Sequence, residues 1–223
     1  LKGSAVLRLT ATQSAGTLVT NARTDFGHFL AVKYLIPVAL EGAWGVLGTI
    51  HTDLYAQWQA DKALTPEQRK QGQANFSDEY LTDRTAFLTW KNKLALADAD
   101  ASTSAYNKGG TPDAWFRDNA SGLTINLGNQ GSVTDKSRYI FGAAQTAGSE
   151  TLSGGNKADR LYGGGGNDGL DGLYQNHYPQ GNARDDTLGR GRGTHTPIRG
   201  PGGDYQYRGP GHGHPRTNHG ARP

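Results

Sequence analysis

The chain has 223 residues, of which 35% are hydrophobic, with 33 glycines, 9 prolines and neither cysteine nor methionine. That length holds one or two domains, the apolar fraction supplies a core for only part of it, and the lack of cysteine excludes disulfides and thiol chemistry. The net charge of +3 hides an asymmetry: residues 190–223 hold six arginines against one acid, Asp204, which leaves −2 for the rest.

A mildly acidic body with a basic tail that lacks an aromatic platform excludes a nucleic-acid-binding domain. No run of 18 apolar residues occurs, so no membrane span is expected. The first residues carry no charged-then-apolar leader. Without an initiating methionine, the chain reads as a fragment of a longer protein.

Ala5-Val6-Leu7-Arg8-Leu9-Thr10 reads as a strand. Thr24 then caps a predicted helix with Asp25 in its first turn. Phe26, Phe29, Leu30, Lys33 and Tyr34 share one face of it, and Pro37 ends it. A second helix is expected from about Ala43 to Lys62, where Trp44, Leu47, Ile50, Leu54, Tyr55 and Trp58 recur at three- and four-residue steps as a core-facing stripe. His51 falls inside that helix as a partly exposed residue with no catalytic role.

Thr65-Pro66-Glu67-Gln68 combines an N-cap, a proline at the first helical position and the glutamine of a capping box. That short helix stops at Gly72. Ser77-Asp78-Glu79 starts the next helix with an acidic first turn, which carries Tyr80, Leu81, Phe87, Leu88 and Trp90 toward Leu94. From Ala95 to Gly110 the chain drifts into Ala, Asp, Ser and Gly, the composition of a linker.

At Trp115 the period changes. Trp115 to Asp118 and the alternating Leu123 to Leu127, joined through Asn119-Ala120-Ser121-Gly122, predict a β-hairpin. Arg138-Tyr139-Ile140-Phe141-Gly142 predicts a further strand. This β segment docks as a cap on the repeats that begin just after it, because a solenoid needs one.

The repeats are nine residues long. Gly154-Gly155-Asn156-Lys157-Ala158-Asp159-Arg160-Leu161-Tyr162 and Gly163-Gly164-Gly165-Gly166-Asn167-Asp168-Gly169-Leu170-Asp171 stand head to tail. Both fit G-G-x-G-x-D-x-U-x, with U a large apolar residue, except that Lys157 replaces the fourth glycine of the first block. This is the calcium-binding nonapeptide of a parallel β-helix. Glycine lets the backbone take positive φ and turn its carbonyls inward, the aspartate supplies a hard anionic oxygen for an ion that takes six to eight oxygens, and Leu161 and Leu170 fill a narrow core.

The phase extends outward in steps of nine. The block from Gln145 offers Gly148, Glu150 and Leu152. The block from Gly172 has His177 where the aspartate belongs, and the block from Gly181 recovers Asp186 and Leu188. From Arg190 the chain is Gly, Arg, Pro and His with almost no aliphatic residue, too little to offset its ordering entropy. Gly200, Gly202 and Asp204 keep the nonapeptide phase there, a coincidence on that compositional reading. His212, His214 and His219 offer at most weak transition-metal ligands. No G-x-S-x-G elbow, no H-E-x-x-H site and no Walker-type loop occurs, so no catalytic residue is assigned.

The nonapeptides resemble the RTX, or haemolysin-type, repeats of secreted bacterial proteins. The resemblance implies that two nonapeptides make one coil of a β-roll, that blocks eighteen residues apart face each other on one edge, and that calcium sits between them. Glu150, Asp168 and Asp186 then line one edge and Asp159 the other. The implied calcium-binding residues are Gly154, Gly155, Asn156, Asp159, Gly163, Gly164, Gly166, Asn167, Asp168 and Asp186, with the carbonyls of Gly155, Gly164 and Gly166 among the ligands.

The resemblance also implies an extracellular protein exported by the bacterial type I route, with calcium ions as the partner. The helical stretch, hairpin and Ile-Phe-Gly strand before the repeats look like RTX-bearing lipase-like proteins, whose hydrolase domain lies upstream. The expected fold class is α+β: a helical N-terminal half (1–110), a β-hairpin cap with a short parallel β-roll (111–189) and a disordered tail (190–223).

Overall fold

The computed structural model describes residues 5–9, 13–42, 44–102, 104–143, 148–191 and 196–208. It divides into two compact units, Leu1–Asp100 and Ala101–Pro223.

The first unit is helical. Strand β1 (Ala5–Arg8) precedes α1 (Ala15–Thr24), whose N-cap Ser14 accepts a bond from the Thr17 N–H. The sequence pattern does not mark α1, and α2 (Phe26–Lys33) begins one residue later than expected. Its cap is Asp25, which accepts from the His28 N–H, rather than Thr24, which ends α1. Strand β2 (Val38–Glu41) pairs antiparallel with β1.

The single helix expected from Ala43 to Lys62 is two, α3 (Trp44–Ile50) and α4 (Thr52–Ala63), separated at His51 with φ −123° and ψ 56°. The break rotates the stripe out of phase, so Leu54 and Trp58 are buried while Ile50 is 68% exposed. Helix α5 (Pro66–Lys70) has both bonds of its capping box, and α6 (Asp78–Leu96) is capped by Ser77, which accepts from the Tyr80 N–H.

Phe26, Phe29, Trp58, Phe76 and Tyr80 form the buried aromatic centre of this unit. Asp61, fully buried, ties it together by accepting from the N–H groups of Asn75 (2.8 Å) and Phe76 (2.7 Å). No helix among the described residues is long and apolar enough to cross a membrane.

The second unit starts inside the expected linker. Ala101 and Tyr106 already bond to β4 (Thr124–Asn126): Asn126 N–H donates to the Ala101 carbonyl at 2.7 Å and Tyr106 N–H to the Asn126 carbonyl at 3.0 Å. Strand β3 (Ala114–Asp118) pairs antiparallel with β4, as the hairpin pattern predicts, and parallel with β5 (Ser137–Phe141).

From there the chain winds as a parallel solenoid. Strands β7 (Arg160–Gly165) and β9 (Tyr178–Ala183) extend a five-stranded sheet in the order β4-β3-β5-β7-β9. Strands β6 (Thr151–Ser153), β8 (Gly169–Asp171), β10 (Thr187–Arg190) and β11 (Tyr205–Arg208) form the facing sheet in the order β11-β10-β8-β6. The hairpin therefore does not merely cover the roll, because β3 and β4 are part of its first sheet.

Thr151 pairs with Gly169, Gly169 with Thr187, and Thr187 with Tyr205, so each coil takes eighteen residues. Leu152, Leu161, Leu170 and Leu188, with Trp115 and Ile140, make the narrow core. Strand β11 lies past residue 189, where the nonapeptide pattern places the roll's end. Residues 209–223, and with them the expected tail histidines, lie outside the described residues.

Candidate metal centre

The nonapeptides that begin at Gly154, Gly163, Gly172, Gly181 and Arg199 are each a turn followed by a short strand, so these turns stack along two edges of the roll. Turns 163–168, 181–186 and 199–204 lead into β8, β10 and β11 on one edge, preceded by Glu150 ahead of β6. This is the acidic edge. Turns 154–159 and 172–177 lead into β7 and β9 on the other, the histidine edge.

The turns share a backbone shape that the side chains no longer match. Positions two and four of a block take positive φ at Gly164 (94°) and Gly166 (121°), the pattern glycine permits. The same positions take positive φ at Leu173 (62°) and Gln175 (74°), and at Asn182 (77°) and Arg184 (92°). Gly200 (86°) and Gly202 (155°) repeat it in the last turn. The coil thus imposes the turn on residues that resist it, and the phase in the tail is structural. The first block differs: Gly154, Gly155 and Lys157 do not take positive φ. Gly155 is there for close approach instead, since a Cβ would stand 2.4 Å from the Thr134 carbonyl oxygen.

Position one is a glycine for a different reason. A Cβ at Gly163 would meet both the Gly181 carbonyl oxygen (2.6 Å) and Asp168 Oδ2 (2.9 Å). One at Gly181 would meet Asp186 Oδ2 (2.3 Å) and the Arg199 carbonyl oxygen (2.7 Å). The missing methyl leaves a cradle in which a carboxylate oxygen and the carbonyl of the next coil come together.

On the acidic edge the carboxylates form a ladder. The Glu150 N–H donates to Asp168 Oδ1 at 2.8 Å, the Asp168 N–H to Asp186 Oδ1 at 2.7 Å, and the Asp186 N–H to Asp204 Oδ1 at 2.9 Å. The second oxygen, Oδ2, of Asp168, Asp186 and Asp204 is buried with no hydrogen-bond partner. Leaving a buried anionic oxygen unpaired is costly, and the protons respond. Burial pushes the Asp186 carboxyl up to about 7, reinforced by the carboxylates of Asp204, Asp168 and Asp185 and opposed by the Asp168 N–H. Burial likewise pushes Asp204 up to about 6 and raises Asp168, which also feels Glu150. These three oxygens suit a hard cation. Glu150 differs, because its carboxylate already accepts from the Asn119 side chain and the Ala143 N–H.

The histidine edge is built otherwise. Asp159 accepts from the Arg138 N–H at 2.8 Å through Oδ1 and from the Gly155 N–H at 2.5 Å through Oδ2. The Asp159 N–H donates to His177 Nδ1 at 3.1 Å, so the imidazole replaces an aspartate as the ladder's acceptor. Acceptance requires the tautomer protonated on Nε2. The 3.3 Å approach of Nδ1 to Asp159 Oδ2 is then proximity and not an ion pair.

Of the remaining expected residues, Asn156 turns out to solvent and donates to Asp135 at 2.7 Å, and Asn167 is exposed. Among the described residues no group of three or more His, Cys, Asp or Glu side chains converges, so a cation held here would need backbone carbonyls beside the aspartates. Sequence reasoning misses Asp204 as a site residue because its surroundings are Gly, Pro and Arg. Its phase with Asp186 is the usable signal.

Comparison with known proteins matches residues 145–173 to the family model of the RTX calcium-binding nonapeptide repeat (4 copies). No curated protein and no solved structure matches the chain. The match begins at Gln145, the first residue of the block read from Gly148, Glu150 and Leu152. A nonapeptide model, an eighteen-residue coil and a carboxylate ladder agree: residues 145–173 match RTX, haemolysin-type calcium-binding repeats, and the described residues from 148 onward are wound as a β-roll.

Proposed function

We propose that the chain is a calcium-stabilised segment of a secreted protein, and that ions lie along the acidic edge between successive turns. Asp168, Asp186 and Asp204 supply Oδ2, and the carbonyls of Gly164, Gly166 and the turns facing them supply the remaining oxygens. The observation that carries this reading is the set of buried, unpartnered Oδ2 atoms repeated in three consecutive coils. A divalent cation removes the repulsion that otherwise holds protons on these groups, and it links each turn to the next. Circular dichroism with calorimetry tests the proposal: added calcium raises β structure and is bound. A chain with the same spectrum in chelator and in calcium, and no bound ion, overturns it.

A second reading concerns the parent protein: the segment is the C-terminal portion of a lipase-like serine hydrolase. It is favoured by the order of a helical unit, a hairpin and strand β5, whose Ile140-Phe141 is followed by Gly142, ahead of the repeats. A G-x-S-x-G sequence in the reading frame upstream supports it, and a frame without one removes it.

A further inference from the structure

The two edges of the roll meet a cation differently. On the acidic edge, Asp168, Asp186 and Asp204 each give Oδ1 to a backbone N–H of the coil before and keep a buried Oδ2 without a partner. Asp185 adds a further carboxylate beside Asp186.

On the histidine edge both oxygens of Asp159 are taken, by the N–H groups of Arg138 and Gly155. The carbonyl of Gly154, at position one of that turn, accepts from the Arg138 guanidinium at 2.8 Å. The guanidinium is held against the Trp115 ring, 4.9 Å from its centroid, and lies within electrostatic reach of Asp159. Lys157 adds a second positive charge at position four, where a glycine carbonyl is otherwise open to a cation. The next coil offers His177 and no carboxylate. Below the turn, the Thr134 carbonyl accepts from the Asn156 N–H at 2.7 Å, so the gap toward the cap is closed by direct bonds.

We propose that the histidine edge is closed by the protein's own groups, with Arg138 standing where a metal ion would, and that calcium binds along the acidic edge alone. Asp159, Gly154 and Gly155 are then structural and not metal ligands. The roll is fastened permanently on one side and conditionally on the other. Loss of calcium opens it along the acidic edge while β5, β7 and the hairpin stay wound. Affinity for calcium rises with the number of charged oxygens a site offers, and the gaps between Asp168, Asp186 and Asp204 offer two carboxylates each where the histidine edge offers one that is already spent.

This inference rests on the calcium reading of the acidic edge. It is tested by residue-resolved amide hydrogen exchange on the full chain in excess calcium and in chelator, together with calcium titration of Asp159→Asn and Asp168→Asn. The expected result is fast exchange in chelator at Glu150, Asp168 and Asp186, with unchanged slow exchange at Arg138, Gly155 and Asp159. Asp168→Asn lowers calcium affinity by about tenfold or more and Asp159→Asn leaves it within about twofold, because only the former removes a charged ligand. Chelator-induced exchange at both edges, or loss of an ion in Asp159→Asn, overturns the inference and leaves calcium binding intact. A wild-type chain that binds no calcium overturns both. Should Asp159→Asn fail to fold, the exchange comparison on the wild type decides alone.

Discussion

Asp186 concentrates the chemistry of the acidic edge in one side chain. It is 1% exposed, its carboxyl is pushed up to about 7, and carboxylates stand on either side of it in the ladder. An aspartate in the unfolded chain titrates near 3.9. Between those values the folded state holds the extra proton, so the calcium-free fold loses stability as pH rises from about 4 to about 7. On the proposed reading calcium competes for the same oxygens, so its apparent affinity should fall as pH drops below about 7. We expect the calcium-free chain to retain more β structure at pH 5 than at pH 8, and calcium to erase the difference. Thermal melts followed by circular dichroism check this, and a calcium-free roll more stable at pH 8 contradicts it.

Asp186→Asn separates the two roles, because the amide oxygen still accepts the Asp168 N–H but carries no charge. The variant should be more stable than wild type without calcium at pH 8, by a few kcal/mol, since each pH unit between the folded and unfolded titration midpoints is worth ~1.4 kcal/mol. It should bind calcium at least about tenfold more weakly. Backbone strain gives a second residue-scale expectation. Gln175 is exposed with φ 74°, whereas Gly166 has φ 121°. Left-handed backbone costs a non-glycine residue roughly 1–2 kcal/mol. Gln175→Gly should therefore stabilise the roll by about 1 kcal/mol and Gly166→Ala destabilise it by at least as much, as read from melts in excess calcium.

At the scale of elements, the two ends of the acidic ladder are unequal. At the N-terminal end Glu150 is taken up by Asn119 and the Ala143 N–H. At the C-terminal end Asp204 keeps Oδ2 unpartnered and holds the Asp186 N–H. Asp204→Ala should therefore lower the number of calcium ions bound, and Glu150→Gln should leave it unchanged, as read by native mass spectrometry. The nonapeptide spacing makes the leucine core legible in the sequence, and the resemblance to RTX repeats supplies the eighteen-residue coil that the register shows. That implied coil sets Asp168 beside Asp186, where the Asp168 N–H donates to Asp186 Oδ1.

The end of the roll is hidden because β11 puts Gln206 at the position that Leu188 and Leu170 fill in the coils before it. A test based on apolar residues fails there while Gly200, Gly202 and Asp204 still carry the backbone. Helix α1 is hidden for a comparable reason. Gly16, Thr17, Val19 and Thr20 are weak helix formers, and only Leu18 and Ala22 are buried, so burial against the rest of its unit outweighs propensity. Where a local signal is strong, as in the capping box of Thr65 and Gln68, element and cap both agree with expectation. The different bonding of Asp159 and Asp168 is legible only in part: Lys157 and His177 mark the Asp159 edge in the sequence, whereas the part of Arg138 depends on where it lies three-dimensionally.

At the scale of the molecule, the two units hold themselves together by different means. The helical unit has a buried aromatic centre, a buried Asp61 whose oxygens are met by three donors of Asn75 and Phe76, and a Trp58 indole N–H bonded to the Ala22 carbonyl at 2.9 Å. None of these contacts waits for an ion. Among the described residues the roll has a buried cluster of Trp115, Ile140, Leu152, Leu161, Leu170 and Leu188 and, along one edge, buried carboxylate oxygens without partners. A ligand that binds only the folded state stabilises it by RT ln(1 + [L]/Kd), about 2.7 kcal/mol at a hundredfold excess over Kd. On the proposed reading the ion is held by the roll, so that stabilisation is the roll's. Thermal unfolding of the full chain should therefore show two transitions. The one seen in the helical signal should stay fixed as calcium is raised, while the one seen in the β signal climbs with the logarithm of calcium concentration. A single transition that moves as a whole with calcium would mean that the helical unit depends on the ion as much as the roll does.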